Sequence, residues 1–140
     1  MSGRQQRPDT APTTPNLLDD DGRKQGQWTD DDPHGGVMVG AYADGLRDGE
    51  WRHYFADGRL RAQGEFRGGE LAGEWTWYRA NGRVMQRGGF QHDAKHGVWE
   101  RWNAAGEPID RGTYDMGRKV GEWRTFHPDG SVKRVTTHRS

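Results

Sequence analysis

Aromatic and basic side chains are the groups in this sequence best able to do chemistry at a surface. Seven tryptophans occur in 140 residues. Trp75, Trp77 and Tyr78 fall within four consecutive positions, "WTWY". Clustered rings can cage a quaternary ammonium group, because each ring face attracts cations. His92 and His96 could meet across one turn, with Asp93 near. Two histidines four apart hold a metal when a helix presents them. Here they fall in a predicted hairpin loop, and no further carboxylate or cysteine completes a set at zinc-like spacing. "TDDDPHGG" at 29–36 lacks the spaced ligands of a calcium loop and reads as a turn. With no cysteine the chain has no disulfide, thiolate nucleophile or zinc-thiolate site. It has no Ser-His-Asp spacing, phosphate loop or nucleophile elbow. The expectation is a non-catalytic chain with neither resident metal nor cofactor.

The aromatic residues are placed by a repeat. "GEWRHYFADG" at 49–58 returns as "GEWTWYRANG" at 73–82, "GVWERWNAAG" at 97–106 and "GEWRTFHPDG" at 121–130. Trp51, Trp75, Trp99 and Trp123 are each 24 residues apart, as are Tyr54, Tyr78, Trp102 and Phe126. Gly64, Gly88 and Gly112 follow at the same interval, then Phe66, Phe90 and Tyr114. An imperfect first copy starts at Gly26 and carries Trp28. Units therefore start near 26, 49, 73, 97 and 121. A fixed period of this length marks a repeat architecture. Residues spread evenly by a repeat also lack the single asymmetric pocket that catalysis needs.

Each unit reads as one β-hairpin. Trp51, His53 and Phe55 alternate with Glu50, Arg52 and Tyr54, and Leu60, Ala62, Gly64 and Phe66 alternate with polar residues. Between them Asp57-Gly58 predicts a two-residue turn with positive φ at both central residues, as do Asn81-Gly82 and Asp129-Gly130. A second turn follows Phe66, with matched glycines at Gly45, Gly69 and Gly117 and Asp93 in the remaining copy. The fold class is all-β: an elongated single antiparallel sheet of about nine strands built from 24-residue hairpins. A glycine opposite each tryptophan lets the ring lie flat over the backbone. Plain alternation puts Tyr54 on the face opposite Trp51, so either both faces carry aromatic residues or a bulge intervenes.

Residues 1–24 contain no aromatic and are rich in Pro, Thr, Asp and Arg, which reads as a disordered leader ahead of a repeat domain at 25–138. Lys+Arg and Asp+Glu are both 21, so no net field draws nucleic acid, and none is expected as a partner. No apolar run near the N-terminus reads as a secretory signal, which makes the cytoplasm the expected location.

The unit G-x-W-x-x-Y, then an N/D-G turn, then G-x-F/Y resembles the MORN repeat, and more closely its bacterial variant, some members of which are known as antitoxin components. Gly73, Trp75, Tyr78, Asn81-Gly82, Gly88 and Phe90 and their counterparts carry the resemblance, over about 25–135. It implies hairpins in an extended sheet and a protein-binding or scaffolding role, in some cases with lipid. It brings no catalytic residues. Thr136 and His138 replace the glycine and aromatic of the last copy and read as a polar cap.

The expected function is non-catalytic binding to a partner protein, in an antitoxin-like form if the resemblance extends that far. The alternatives are a peripheral lipid-headgroup scaffold and a small-ligand aromatic cage. The candidate surface comprises Trp51, Trp75, Trp77, Tyr78, Trp99, Trp102 and Trp123. Arg59, Arg61, Arg83 and Arg87 add a basic stripe suited to phosphate or to an acidic protein. Unpaired edge strands also allow a homodimer.

Overall fold

Period-two alternation punctuated by turn residues makes this chain a succession of hairpins. The computed structural model describes residues 16–33 and 35–139. Among them are twelve strands and no helix, in two compact units, Met1–Glu70 and Leu71–Ser140. In the first unit β1 (Leu17–Leu18), β2 (Lys24–Asp31), β3 (Val37–Ala43), β4 (Leu46–Tyr54) and β5 (Leu60–Arg67) lie side by side in chain order. The second unit holds β6 (Glu70–Tyr78), β7 (Val84–Gln91), β8 (Ala94–Lys95), β9 (Gly97–Trp102), β10 (Pro108–Asp115), β11 (Arg118–Phe126) and β12 (Val132–His138). Its order is again sequential, with the two-residue β8 paired beside β7. The pairings within each unit are antiparallel.

The all-β hairpin fold expected from the repeat is the fold that forms, with twelve strands rather than about nine. Two of the additional strands have clear origins. β8 and β9 are one stretch of alternation interrupted at His96, and β1 lies in the segment read as leader. Of that leader, residues 1–15 lie outside the described residues. Residues 16–24 do not fit a disordered reading. Leu17 and Leu18 pair with Gln25 and Lys24. The Asn16 side chain accepts from the Thr29 amide (2.8 Å) and donates to the Thr29 carbonyl (3.3 Å). Composition hid this strand because its anchors are polar.

The two kinds of turn are the reverse of the expectation. At Asp57-Gly58 only Gly58 has positive φ (91°). The Gly58 amide donates to the Phe55 carbonyl (2.9 Å), the Phe55 amide donates to the Arg59 carbonyl (2.8 Å), and the Asp57 carboxylate accepts from the Arg59 amide (3.0 Å). This is a three-residue loop, a type I turn closed by one left-handed glycine. The Asp side chain stabilises it from a right-handed backbone. The two-residue turns with both φ positive lie elsewhere, at Asp44-Gly45, Gly68-Gly69, His92-Asp93 and Met116-Gly117. Met116, at φ 45°, has no polar side chain to make the local hydrogen bonds that render Asn or Asp tolerable there.

Three tryptophans of the repeat, Trp51, Trp99 and Trp123, are each seated on a glycine. Register pairs Gly40 with Trp51, and a Cβ at Gly40 would collide with the Trp51 indole. Gly88 stands in the same relation to Trp99, and Gly112 to Trp123. The indole N–H donates to the next carbonyl of that strand: Trp51 to Ala41 (2.9 Å), Trp99 to Gly89 (2.9 Å) and Trp123 to Thr113 (3.1 Å). The expected glycine–tryptophan pairing is thus present and satisfies the buried polar atom as well. Thr136 pairs with Trp123 where earlier copies carry glycine, so β12 offers no seat of this kind to a further ring.

Tryptophans dominate the core. Trp51, Trp75, Trp99 and Trp123 are 0%, 4%, 3% and 8% exposed, and Ala62, Phe66 and Ala72 are buried with them. The opposite face is not bare. Val37 and Val39 are buried there, and Tyr54 packs against them. Of the two options left open by alternation for Tyr54, the first unit uses both faces.

Candidate binding groove

A break in pairing brings a cation onto the rings of Trp51, Trp99 and Trp123. β3 pairs Gly40 with Trp51 and the adjacent Ala41 with Asp48, so Gly49 and Glu50 drop out of the ladder with β3. Gly49 takes the left-handed conformation (φ 80°) that such a bulge requires. Five residues of β4 thereby lie opposite three of β3, since Arg47 faces Tyr42 and Trp51 faces Gly40. The Arg47 guanidinium then lies 4.6 Å from the Trp51 ring centroid. In the second unit Lys95 lies 4.7 Å from Trp99 and 5.1 Å from Tyr114, and Lys119 lies 4.6 Å from Trp123. Each such ring has a glycine beneath it and a cation above.

The rings also contact one another edge to face. In the first unit the row runs Trp28, Tyr42, Trp51, Phe66, with centroids 5.8, 5.2 and 6.0 Å apart. In the second Phe90, Trp99, Tyr114 and Trp123 follow at 5.3, 5.9 and 5.1 Å. His138 continues the row, 6.3 Å from Trp123 at 81°. It therefore serves as the last aromatic of the series rather than simply a polar cap. Trp77 adds a nearly parallel contact with Trp99 (5.6 Å, 30°).

The rows differ in how their cations are neutralised. In the first unit Asp30 is the acid of the row. Lys24, which lies over Trp28 and Tyr42, bonds Asp30 at 3.1 Å. The Tyr42 hydroxyl donates to the same carboxylate, and Arg47 approaches it at 3.5 Å. Burial works against the charge on Lys24, but its hydrogen bond and attraction to Asp30 outweigh this and raise its pKa above 10.5. In the second unit the residue two after the tryptophan is Arg101, not an acid. Arg101 clamps Asp110 with two bonds of 2.9 and 2.6 Å, and that hydrogen bonding raises the Arg101 pKa. Among the described residues no carboxylate lies within ion-pair distance of Lys95 or Lys119. Above the row is a groove of about 230 Å³, floored by Trp99, Tyr114 and Trp123 and walled by the two lysines and the Arg101–Asp110 pair.

The residues singled out from sequence are distributed differently. Trp51, Trp75, Trp99 and Trp123 are core, so they shape a surface from beneath rather than form it. Trp77, Tyr78 and Trp102 are half-buried. The four arginines are individually engaged. Arg59 lies 3.7 Å from Asp57, and Arg61 lies 3.9 Å from Asp32 and over the Phe55 ring. Arg83 donates to the Ala105 carbonyl, and Arg87 lies 3.5 Å from Glu100 and over Trp102. His92 occupies a turn, while His96 Nδ1 accepts from the Met116 amide (3.2 Å). Among the described residues no group of three His, Cys, Asp or Glu is placed to hold a metal ion. Sequence reasoning missed Lys95 and Lys119. The signal was present: Arg47, Lys95 and Lys119 each stand four before a tryptophan on the 24-residue register, with Leu71 at the remaining position.

The family model for the MORN repeat variant matches at residues 47–67 and 119–139, and the chain carries MORN-like repeats. No curated protein matches it. Fifteen chains of solved structures do. One, from the crystal structure of the GtfA/B complex bound to UDP and GlcNAc, is 12% identical with a TM-score of 0.34. That alignment covers 94% of this chain and 26% of that one.

Proposed function

We propose that this protein is a non-catalytic module that binds a partner protein through the groove of its second unit. The observation that carries the reading is the pair of lysines, Lys95 and Lys119, held over aromatic rings without a neutralising carboxylate among the described residues. In the first unit the same arrangement is closed by Asp30. Aromatic side chains dominate interaction hot spots, and unneutralised cations at the rim attract a partner of complementary charge. MORN repeats commonly serve in protein or membrane binding, which supports the same role. Lipid binding through the arginine stripe ranks second, since Arg59, Arg61 and Arg87 each have a carboxylate neighbour.

The test is affinity capture from native host lysate, with wild type beside Lys95→Glu/Lys119→Glu. The expected result is one protein held in near-stoichiometric amount by wild type and lost by the variant. Recovery of lipid without protein, or equal capture by both, overturns the reading. The narrower antitoxin-like role would further require that the captured protein arrest growth when expressed alone and be relieved by coexpression.

A further inference from the structure

We infer that the segment entering this groove is an acidic, extended stretch of the partner's chain, with two carboxylate side chains that meet Lys95 and Lys119. The inference rests on the protein-binding reading above and adds the chemistry of the ligand. Three cations line the groove against one carboxylate, and Asp110 is already bonded twice by Arg101. Two positive charges are left over, both lysine ammonium groups, each fixed above an indole. The tryptophans beneath them sit on β9 and β11, two strand spacings apart, or about 10 Å. Acidic residues separated by one or two positions in an extended peptide span a comparable distance, and their own side chains supply the remaining reach.

The same geometry disfavours phosphate. The two lysines could meet a phosphate only as point charges, because the one guanidinium fork in the groove, which would grip it bidentately, is committed to Asp110. At about 230 Å³ the groove is smaller than the usual small-molecule pocket, and it suits a few side chains laid across a sheet.

Tryptophan fluorescence of the full chain, titrated with a peptide of alternating glutamate and glycine, tests this beside the same peptide with glutamine. The glutamate peptide should bind at least about tenfold more tightly, with affinity falling as salt rises. Lys95→Gln/Lys119→Gln should lose that preference, Lys95→Arg/Lys119→Arg should keep it, and Arg52→Gln/Arg67→Gln, two exposed arginines of the first unit, should leave it unchanged. Far-ultraviolet dichroism and melting curves establish that each variant is folded. Equal binding of the two peptides, or an unaltered preference in the glutamine variant, overturns the inference. So does displacement of the peptide by phosphatidylserine vesicles or inorganic phosphate at lower concentration. If the peptide fails while the double lysine variant still loses its captured protein, the binding reading stands and only the acidic-segment chemistry falls.

Discussion

The two units use one structural device and finish it in opposite ways. Each stacks tryptophan over glycine, rows the rings edge to face, and lays a cation on top. In the first unit Asp30 collects Lys24, Arg47 and the Tyr42 hydroxyl. In the second, the matching position after Trp99 is Arg101, and Lys95 and Lys119 are left with rings alone among the described residues. Aspartate against arginine at this repeat position, with Met38 opposite Asp30 and Asp110 opposite Arg101, separates a closed structural row from an open groove. Repeats tolerate such a change because the fold depends on the glycine, tryptophan and turn positions, which stay constant.

The comparison breaks most readily at the rings themselves. Trp51→Ala and Trp99→Ala should each cost about 3–5 kcal/mol in urea unfolding, and a much smaller loss for Trp99 would mean that the second row is surface rather than core. Gly40→Ala and Gly112→Ala should each cost roughly 1–3 kcal/mol, because the new Cβ displaces an indole. Variants as stable as wild type would remove the seating argument.

The charge difference gives smaller effects. Asp30→Asn should destabilise by about 1–3 kcal/mol, as it weakens charged hydrogen bonds to Lys24 and Tyr42. Lys119→Gln should cost only about 0.5–1 kcal/mol, the worth of one exposed cation over a ring. Equal losses in the two variants would erase the distinction between closed and open rows. Met116→Gly should stabilise by about 1 kcal/mol, by relieving its left-handed backbone. Asp44→Gly at the matching turn should gain less, since Asp tolerates that region, and thermal melts of the pair would rank them. The smallest effect is at Asp129, whose bonds from the Ser131 hydroxyl and amide hold its pKa below 3.8. A depressed carboxylate contributes stability above its unfolded pKa and loses it as pH falls through the folded value. The loss should therefore appear only below about pH 4. A carboxyl NMR resonance for Asp129 titrating above 3.8 would contradict this.

Much of the fold was legible because a repeat states each rule several times. The 24-residue interval gave the hairpins, and glycine opposite tryptophan gave the seating of the rings. The turns were legible as turns but not by type. Asp57-Gly58 satisfies a type I turn with a left-handed glycine as readily as a two-residue turn, and the choice depends on where the strands resume pairing. Of the groove, the floor was legible and the rim was not. Trp99 and Trp123 stood out by type, whereas Lys95 and Lys119 looked like ordinary turn-flanking lysines.

The sequence by itself determined the all-β class, the hairpin period, the ring rows and the even balance of charge, since each follows from residue type and spacing along the chain. Tertiary structure alone decided that Trp51, Trp75, Trp99 and Trp123 are interior, that Asn16–Leu18 joins the sheet, and that a bulge at Gly49 lays Arg47 across Trp51. It also decided which lysines lack a carboxylate partner among the described residues. Burial, register and charge pairing are relations between strands, and a linear pattern specifies which side chains are available without specifying which of them meet.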